Sequence, residues 1–296
     1  MEIRTLRYFL AVAREENMTR AAEMLHVTQP TLSKALKTLE NELGKKLFTR
    51  HSFSIALTEE GMLLRDRAED LLTMADKIEK EFLSLDDITG GELFLGLAES
   101  YQIRYLAKEV RKLKNNCPGL KYHITSGDTE QVTEKLDKGL LDFAVLCETP
   151  DAKKYEYIEF PESDTWGVVV PKGSPLAKKK NAKVNDLVGI PLITSEQGWE
   201  KDIKKWCGER IDELNLDGSF RLAYNASIFV KEGLGYQLTF RHLVNPSPYL
   251  DLVFIQLSPK LETKLYLIWN KYQTFTPMAE RFLNQVKESF GTKKRQ

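Results

Sequence analysis

Gln29, Pro30, Ser33, Lys34 and Lys37 recur at spacings that place them along one side of an α-helix, at about 100° per residue. An amide, a hydroxyl and two ammonium groups so arranged make a short, polar, hydrogen-bonding surface. Such a surface suits the major groove of DNA, where Gln bonds adenine, Lys reaches O6 and N7 of guanine, and Ser bonds a base or a phosphate. The plainer alternative is a helical hairpin with a solvated polar face. Enzyme chemistry has little to rest on. The sequence holds no G-x-G-x-x-G, P-loop, G-x-S-x-G or H-E-x-x-H, and His26, His51, His123 and His242 are scattered. Cys117, Cys147 and Cys207 are equally dispersed, with no C-x-x-C pair. That usage points to a reducing compartment and away from structural zinc, and Cys207 has no neighbouring cysteine with which a peroxide sensor would form a disulfide. No metal and no cofactor is expected.

The elements that must carry this surface are two short helices within Thr19–Thr38, with a tight turn near His26 and Val27. Ala21, Ala22 and Leu25 share one face of the first helix, and Leu32, Ala35, Leu36 and Leu39 recur at helical spacing in the second. Small alanines let the helices cross closely. Thr28 is a natural N-cap, and Pro30 falls in the first turn, where its missing N–H and fixed φ are tolerated. Leu47–Arg50 and Ile55–Leu57 then flank residues 51–54 as a two-stranded wing, and Thr58 caps a further helix. Net charge is zero, from 43 basic and 43 acidic residues, so any attraction to nucleic acid must be local. Residues 28–52 carry Lys34, Lys37, Lys45, Lys46 and Arg50 against Glu40 and Glu42, a net of plus three.

From Thr58 to about Leu85 there is no proline and one glycine, so a single helix of about 40 Å is expected at 1.5 Å per residue. Its apolar positions alternate spacings of four and three, the seam of a heptad pattern. A rod with little core of its own favours self-pairing, through Leu64, Leu71, Ile78 and Phe82. Pairing by a two-fold axis would present two reading helices to two half-sites.

Asp86–Gly91 breaks the helix as a hinge. Beyond it, strands over 92–98, 121–125 and 141–147 alternate with helices over 103–114 and 130–138, the pattern of a doubly wound sheet. Strands over 165–170, 191–194, 219–224 and 252–257 form a second set, and 264–269 returns to the first before a helix over 277–290. At 296 residues with 42% hydrophobic and 29% charged residues, the chain is globular with two or three domains. The opening MEIRTLRYFLAVAREEN lacks the apolar core of a signal peptide, and no stretch approaches eighteen apolar residues. A cytoplasmic protein with no membrane partner is expected.

Residues 1–61 resemble the N-terminal domain of LysR-type transcriptional regulators. The resemblance is carried by Ala21-Ala22, Val27-Thr28-Gln29-Pro30-Thr31-Leu32-Ser33, Leu39-Glu40, Leu43-Gly44, Leu47-Phe48-Thr49-Arg50 and Leu57-Thr58-Glu59-Glu60-Gly61. It implies that Gln29, Pro30, Ser33 and Lys34 face base edges, and that Thr19, Thr28, Thr31, Lys37 and Arg50 hold phosphates. The sequence departs from the family at Phe53, where arginine is common, and at Glu60, where alanine is usual. Looser motifs continue the resemblance: Gly91-Glu-Leu-Phe-Leu-Gly96, Gly139-Leu-Leu-Asp142, Gly173-Ser-Pro-Leu-Ala177, Asp186–Ile193 and Val230–Gly235. Gly235–Phe240 stands where the family often has a different loop ending in Leu-Pro.

The resemblance implies an all-α winged helix-turn-helix over 1–58, a linker and dimerisation helix over 59–85 and a hinge over 86–91. An α/β doubly wound, two-subdomain effector domain of the periplasmic-binding-protein type follows. Its subdomain I takes in 92–161 and 267–296, and subdomain II 162–266. On that fold, ligand lies in the crevice at the carboxyl ends of the strands. Glu99, Ser100 and Tyr101 follow the first strand, Asp128 and Thr129 the second, and Thr194 and Ser195 lie in the other half. Ser100, Tyr101, Thr129, Thr194 and Ser195 are the expected effector contacts, and the same hydroxyls suit N-caps. Helix N-termini there would receive an anion, so a small polar metabolite bearing a carboxylate is favoured, while Glu99 would welcome an amino group. The expected partners are double-stranded promoter DNA, a small-molecule effector and a second copy or tetramer of the chain, with RNA polymerase counted as a further candidate. A solute transporter's binding protein would share the second fold but would need a signal peptide and would have no use for residues 1–90.

Overall fold

The computed structural model describes residues 1–50, 54–85, 89–244 and 251–291. The chain divides into two units, Met1–Leu83 and Ser84–Gln296. The first contains α1 (Ile3–Glu15), α2 (Met18–Met24), α3 (Gln29–Leu43), β1 (Phe48–Arg50), β2 (Ile55–Leu57) and α4 (Glu59–Ser84). Leu6, Phe9 and Val12 of α1 pack with Ala21, Ala22, Leu32, Leu36 and Leu39 into one core. The start of α2 is fixed by Asn17, whose side-chain oxygen accepts from the N–H groups of Thr19 (2.9 Å) and Arg20 (3.1 Å). In the turn before α3, His26 adopts φ 53°, a left-handed conformation that glycine would take more easily. The wing pairs Phe48 with Leu57 and Arg50 with Ile55. Phe53, with His51 and Ser52, lies outside the described residues.

Two polar residues bind the wing to the helices. Glu40 Oε1 accepts from the Leu47 N–H at 2.9 Å, and its Oε2 accepts from Lys46 Nζ at 2.8 Å. Burial works against the ionised Glu40, and the bonds from Lys46, Leu47 and Phe48 outweigh it, so its carboxyl is held below the usual range. Thr58 Oγ1 donates to the Lys46 carbonyl (2.7 Å) and accepts from the Gly61 N–H (3.0 Å), capping α4 as expected. Gly61 has no alternative there. A Cβ on it would stand 2.2 Å from the Leu47 carbonyl oxygen.

The heptad seam of α4 divides in the structure. Ala68 and Leu72 are buried in the core of the first unit and Leu64 packs half-buried against it, whereas Leu71 (45%), Ile78 (45%) and Phe82 (71%) are exposed. The rod does have a core to lie on, because its first turns cover α1–α3, and Arg7 Nη2 meets Asp76 Oδ1 at 2.6 Å.

The second unit begins with β3 (Gly90–Leu97), α5 (Arg104–Asn116), β4 (Gly119–Ser126), α6 (Thr129–Asp137), β5 (Phe143–Leu146) and β6 (Tyr155–Glu159). It continues through β7 (Asp164–Pro171), β8 (Asn181–Ala182), β9 (Pro191–Thr194), α7 (Glu196–Gly198), α8 (Lys204–Cys207), β10 (Asn215–Ser219) and α9 (Ala223–Lys231). It ends with β11 (Tyr236–Phe240), β12 (Leu252–Leu257), β13 (Glu262–Thr263), β14 (Tyr266–Asn270) and α10 (Pro277–Gly291). One sheet has the order β4-β3-β5-β14-β6, and the other β10-β9-β11-β7-β12-β8, with β13 on β7. The β-α-β segments pair in parallel as their pattern requires, β3 with β4 and β5. The returning strand β14 is antiparallel to β5 and β6, so the sheet is mixed.

The chain passes between the two sheets twice, and the passages are bonded to each other. The Phe160 N–H donates to the Leu265 carbonyl at 2.9 Å, Asp164 stands opposite Thr263, and the Trp166 N–H donates to the Leu261 carbonyl at 3.0 Å. Two segments differ from the sequence reading. The strand expected over 219–224 ends at Ser219, and α9 begins at Ala223. Gly235–Phe240 is no loop but supplies the buried central strand β11, with Gly235 at φ 109° so close to the Pro191 carbonyl that a Cβ would lie 2.5 Å from it.

Candidate DNA-reading helix and effector cleft

The outward side of α3 is built by its capping. Thr28 Oγ1 accepts from the Thr31 N–H at 3.4 Å and shares a 2.8 Å hydrogen bond with Thr31 Oγ1, and Pro30 occupies the first turn. With Leu32, Leu36 and Leu39 turned into the core, Gln29, Pro30, Lys34 and Lys37 are exposed and Ser33 is half-buried. Thr19, Thr28 and Thr31 are exposed beside them. The basic residues of 28–52 are not equivalent. Lys46 is paired with Glu40 at 2.8 Å and Lys45 with Glu60 at 3.5 Å, whereas among the described residues Lys34 and Lys37 enter no ion pair. Among the described lysines of this segment, the positive charge outside ion pairs therefore lies on the face that also carries Gln29 and Ser33. Arg50 ends β1, and its side chain lies outside the described residues.

In the second unit a cleft of about 720 Å³ opens between the two sheets. Its walls include Glu99 after β3, Asp128 and Thr129 at the start of α6, Ser195 and Gln197 after β9, and Trp166 and Phe240. These are the carboxyl ends of the parallel strands. Two of the five expected effector contacts, Thr129 and Ser195, line the cleft. Thr129 Oγ1 accepts from Gln197 Nε2 at 2.9 Å, a bond that joins the two halves, and Ser195 caps α7 through the Gly198 N–H at 3.2 Å. The other three are placed elsewhere. Thr194 is fully buried and donates to the Leu238 carbonyl at 3.0 Å. Ser100 accepts from the Gln102 N–H at 2.9 Å, and the Tyr101 ring packs on His242 at 4.7 Å.

Two other helix N-termini in this unit, those of α6 and α9, each have one N–H taken up by a carboxylate of the chain. Asp128 Oδ1 accepts from the Gln131 N–H at 2.9 Å in a capping box on α6. Glu99 Oε2 accepts from the Ala223 N–H at 2.7 Å and so caps α9, whose preceding residue, Leu222, has no group able to do so. The sequence reading missed Gln197, Trp166 and Asp202 as cleft residues; their places follow from pairing between distant segments.

Behind the wall, Asp164 is buried and its carboxyl is pushed up to about 6 by that burial, against hydrogen bonds from Ser100 and Gln102 and the charge of Arg104. Burial, with Asp164 and Asp202 nearby, also pushes the Cys147 thiol well up, which disfavours the reactive thiolate. Among the described residues no group of three or more metal-ligating side chains gathers, and no helix is long and apolar enough to cross a membrane.

Comparison with known proteins agrees with both units. Residues 3–62 match the family described as bacterial regulatory helix-turn-helix protein, lysR family, and residues 87–291 match the LysR substrate binding domain. The chain is 24% identical to an uncharacterized HTH-type transcriptional regulator, YybE, of Bacillus subtilis (strain 168), over 98% of this chain and 100% of that protein. It is 29% identical to the Hca operon transcriptional activator HcaR of Escherichia coli (strain K12), over 99% of each. The crystal structure of CbnR, a LysR family transcriptional regulator, shares the fold with a TM-score of 0.78 at 21% identity, covering 98% of this chain and 99% of that one. Full-length CbnR complexed with its target DNA gives 0.76 at 22% identity, over 98% and 100%. With a helix-turn-helix in one unit, a two-sheet substrate-binding fold in the other and both family matches in chain order, this protein belongs to the LysR family of DNA-binding transcription regulators.

Proposed function

We propose that this regulator works in the cytoplasm as a homo-oligomer on promoter DNA and changes its grip when a small polar metabolite enters the cleft of the second unit. The observation that carries the DNA half is the outer face of α3, where Gln29 and Ser33 share a surface with Lys34 and Lys37, which enter no ion pair among the described residues. Gln29, Pro30, Ser33 and Lys34 read base edges, and Thr19, Thr28, Thr31, Lys37 and Arg50 hold phosphates. Gln29→Ala is expected to lose discrimination at one base-pair position, by about 1–3 kcal/mol, with binding to random duplex unchanged. Lys37→Ala is expected to weaken all sequences alike and to lower the salt dependence. Operators selected from a randomised duplex pool and measured by fluorescence anisotropy give both quantities. Equal losses on selected and random DNA for Gln29→Ala would refute the base-reading role.

The exposed Leu71, Ile78 and Phe82 of α4 support self-association, because a row of large apolar side chains at heptad spacing is stabilised by a second helix. Volume supports the cleft as the effector site: about 720 Å³ suits a metabolite. The effector acts only through a difference in its affinity for two arrangements of the protein.

A further inference from the structure

We infer that the group this cleft recognises in its effector is a cationic nitrogen, carried by an aliphatic amine or guanidine of net positive charge. The inference rests on the reading of the cleft as the effector site and names the ligand's chemistry. Seven of the side chains that line the cleft are carboxylates and two are cations. Both cations are already matched across it, Lys201 by Glu148 and Arg221 by Asp128 at 3.7 Å. An anion entering the cleft would therefore meet a surplus of negative charge with no uncommitted cation among the described residues of its wall.

The usual alternative, an anion seated on a helix N-terminus, is disfavoured at two places in the same structure. At α6 and α9 one terminal N–H each, that of Gln131 and of Ala223, is held by Asp128 and Glu99, so a ligand carboxylate there would lie against a tethered one. A cation meets the opposite situation. Trp166 Nε1 donates to Thr263 Oγ1 at 2.8 Å, and Thr263 Oγ1 donates to Asp202 Oδ1 at 2.7 Å. This relay fixes one oxygen of Asp202, while Asp202, Trp166 and Phe240 all line the cleft. A carboxylate and aromatic rings in one wall are the combination that holds an ammonium or guanidinium, through ion pairing and ring faces together. Burial pushes the Asp202 carboxyl up in spite of Thr263, Lys201 and Lys205, and a further positive charge at the site would favour its ionised form.

The test is equilibrium binding to the full-length chain by titration calorimetry at low salt. The probes are 1,4-diaminobutane and 4-aminobutylguanidine, against butanedioate, pentanedioate and 1,4-butanediol. At least one cation is expected to bind saturably, with the dicarboxylates and the diol silent. Asp202→Asn, which keeps an acceptor for Thr263, is expected to weaken that binding at least tenfold while leaving the tryptophan unfolding transition in place. Glu196→Gln, a change at the exposed rim, is expected to weaken it less and to reduce its salt dependence. Preference for a dicarboxylate, absence of binding by both cations, or unchanged affinity in Asp202→Asn each overturns the inference. The two readings fail separately. A dicarboxylate that binds wild type but not Thr129→Trp leaves the cleft as the effector site and removes only the cation. If no probe of either sign binds, and Thr129→Trp also leaves DNA binding and its response to cell metabolites unaltered, both readings fall.

Discussion

Replacing Glu40 separates two interactions that the structure assigns to its two oxygens. Oε1 holds the N–H of Leu47, a residue that is 1% exposed, and Oε2 holds Lys46, which is 74% exposed. Leaving the Leu47 N–H without a partner costs about 1–3 kcal/mol, whereas an ion pair to so exposed a lysine contributes less than about 1 kcal/mol. Glu40→Gln keeps an acceptor for Leu47 and loses the ion pair, so its expected cost is below about 1 kcal/mol; Glu40→Leu loses both, for roughly 2 kcal/mol. Because Glu40 is held below the usual glutamate range, its contribution is present above that range and lost as pH falls through the lowered value, and Glu40→Gln abolishes this dependence. The assay uses the distribution of tryptophan. Trp166, Trp199, Trp206 and Trp269 all lie in the second unit, so urea unfolding followed by tryptophan fluorescence reports that unit, and helical circular dichroism adds α1–α4. Both variants should shift the dichroism transition and leave the fluorescence midpoint unchanged. Equal destabilisation by Gln and Leu, or none by either, would refute the assignment of the energy to the Leu47 bond.

Gly61→Ala forces the wing and the start of α4 apart, since the new Cβ meets a backbone oxygen at 2.2 Å; a loss of about 1–3 kcal/mol in the same dichroism transition is expected, and wild-type stability would count against it. Ile78→Glu places a charge in the exposed row of α4, so light scattering should show a smaller species with the fluorescence transition intact, and an unchanged mass would remove α4 from the interface. Asp164 has a folded-state value raised to about 6. Its contribution is therefore present below the unfolded carboxyl value and lost as pH rises through about 6, which makes ionisation destabilising at neutral pH. Asp164→Asn should remove that loss, and melting followed by tryptophan fluorescence between pH 4 and 7 should show the variant gaining on wild type as pH rises, by on the order of 1–3 kcal/mol; a constant difference would refute it.

What the sequence could show was set by the range of the interactions concerned. Helix α3 is specified within a few residues, by Thr28, Pro30 and the Leu32, Leu36 and Leu39 spacing, and local rules recover it. Where a partner comes from far away, they fail. The segment Phe220–Tyr224 alternates like a strand, yet α9 starts inside it because Glu99, 124 positions earlier, supplies the missing cap at Ala223. The same contact turns the Glu99 carboxylate, which follows the first strand among the expected effector groups, onto a helix that was not expected there. Thr194 has the right type and the right place after a strand, but Leu238 lies on β11, and only the sheet order shows that the hydroxyl points at a carbonyl behind the wall. On α4 the heptad spacing is real, and which positions it leaves for a second copy depends on a core that covers Ala68 and Leu72 but not Leu71.

The two passages of chain between the sheets of the second unit have a mechanical consequence. Two independent single strands would let the halves slide, separate and rotate in any combination. These passages are an antiparallel ribbon, with Thr263 opposite Asp164 and Glu262 opposite Thr165, and sliding one strand along the other would break the bonds that register them. Bending and twisting about the ribbon's own axis break none. Sliding is thus the stiff direction, while bending and twisting beside Asp164 remain the soft ones. On the proposed reading of the cleft, a molecule lodged there would be answered by a swing about that line, and the signal leaving the domain would take the form of an angle rather than a displacement.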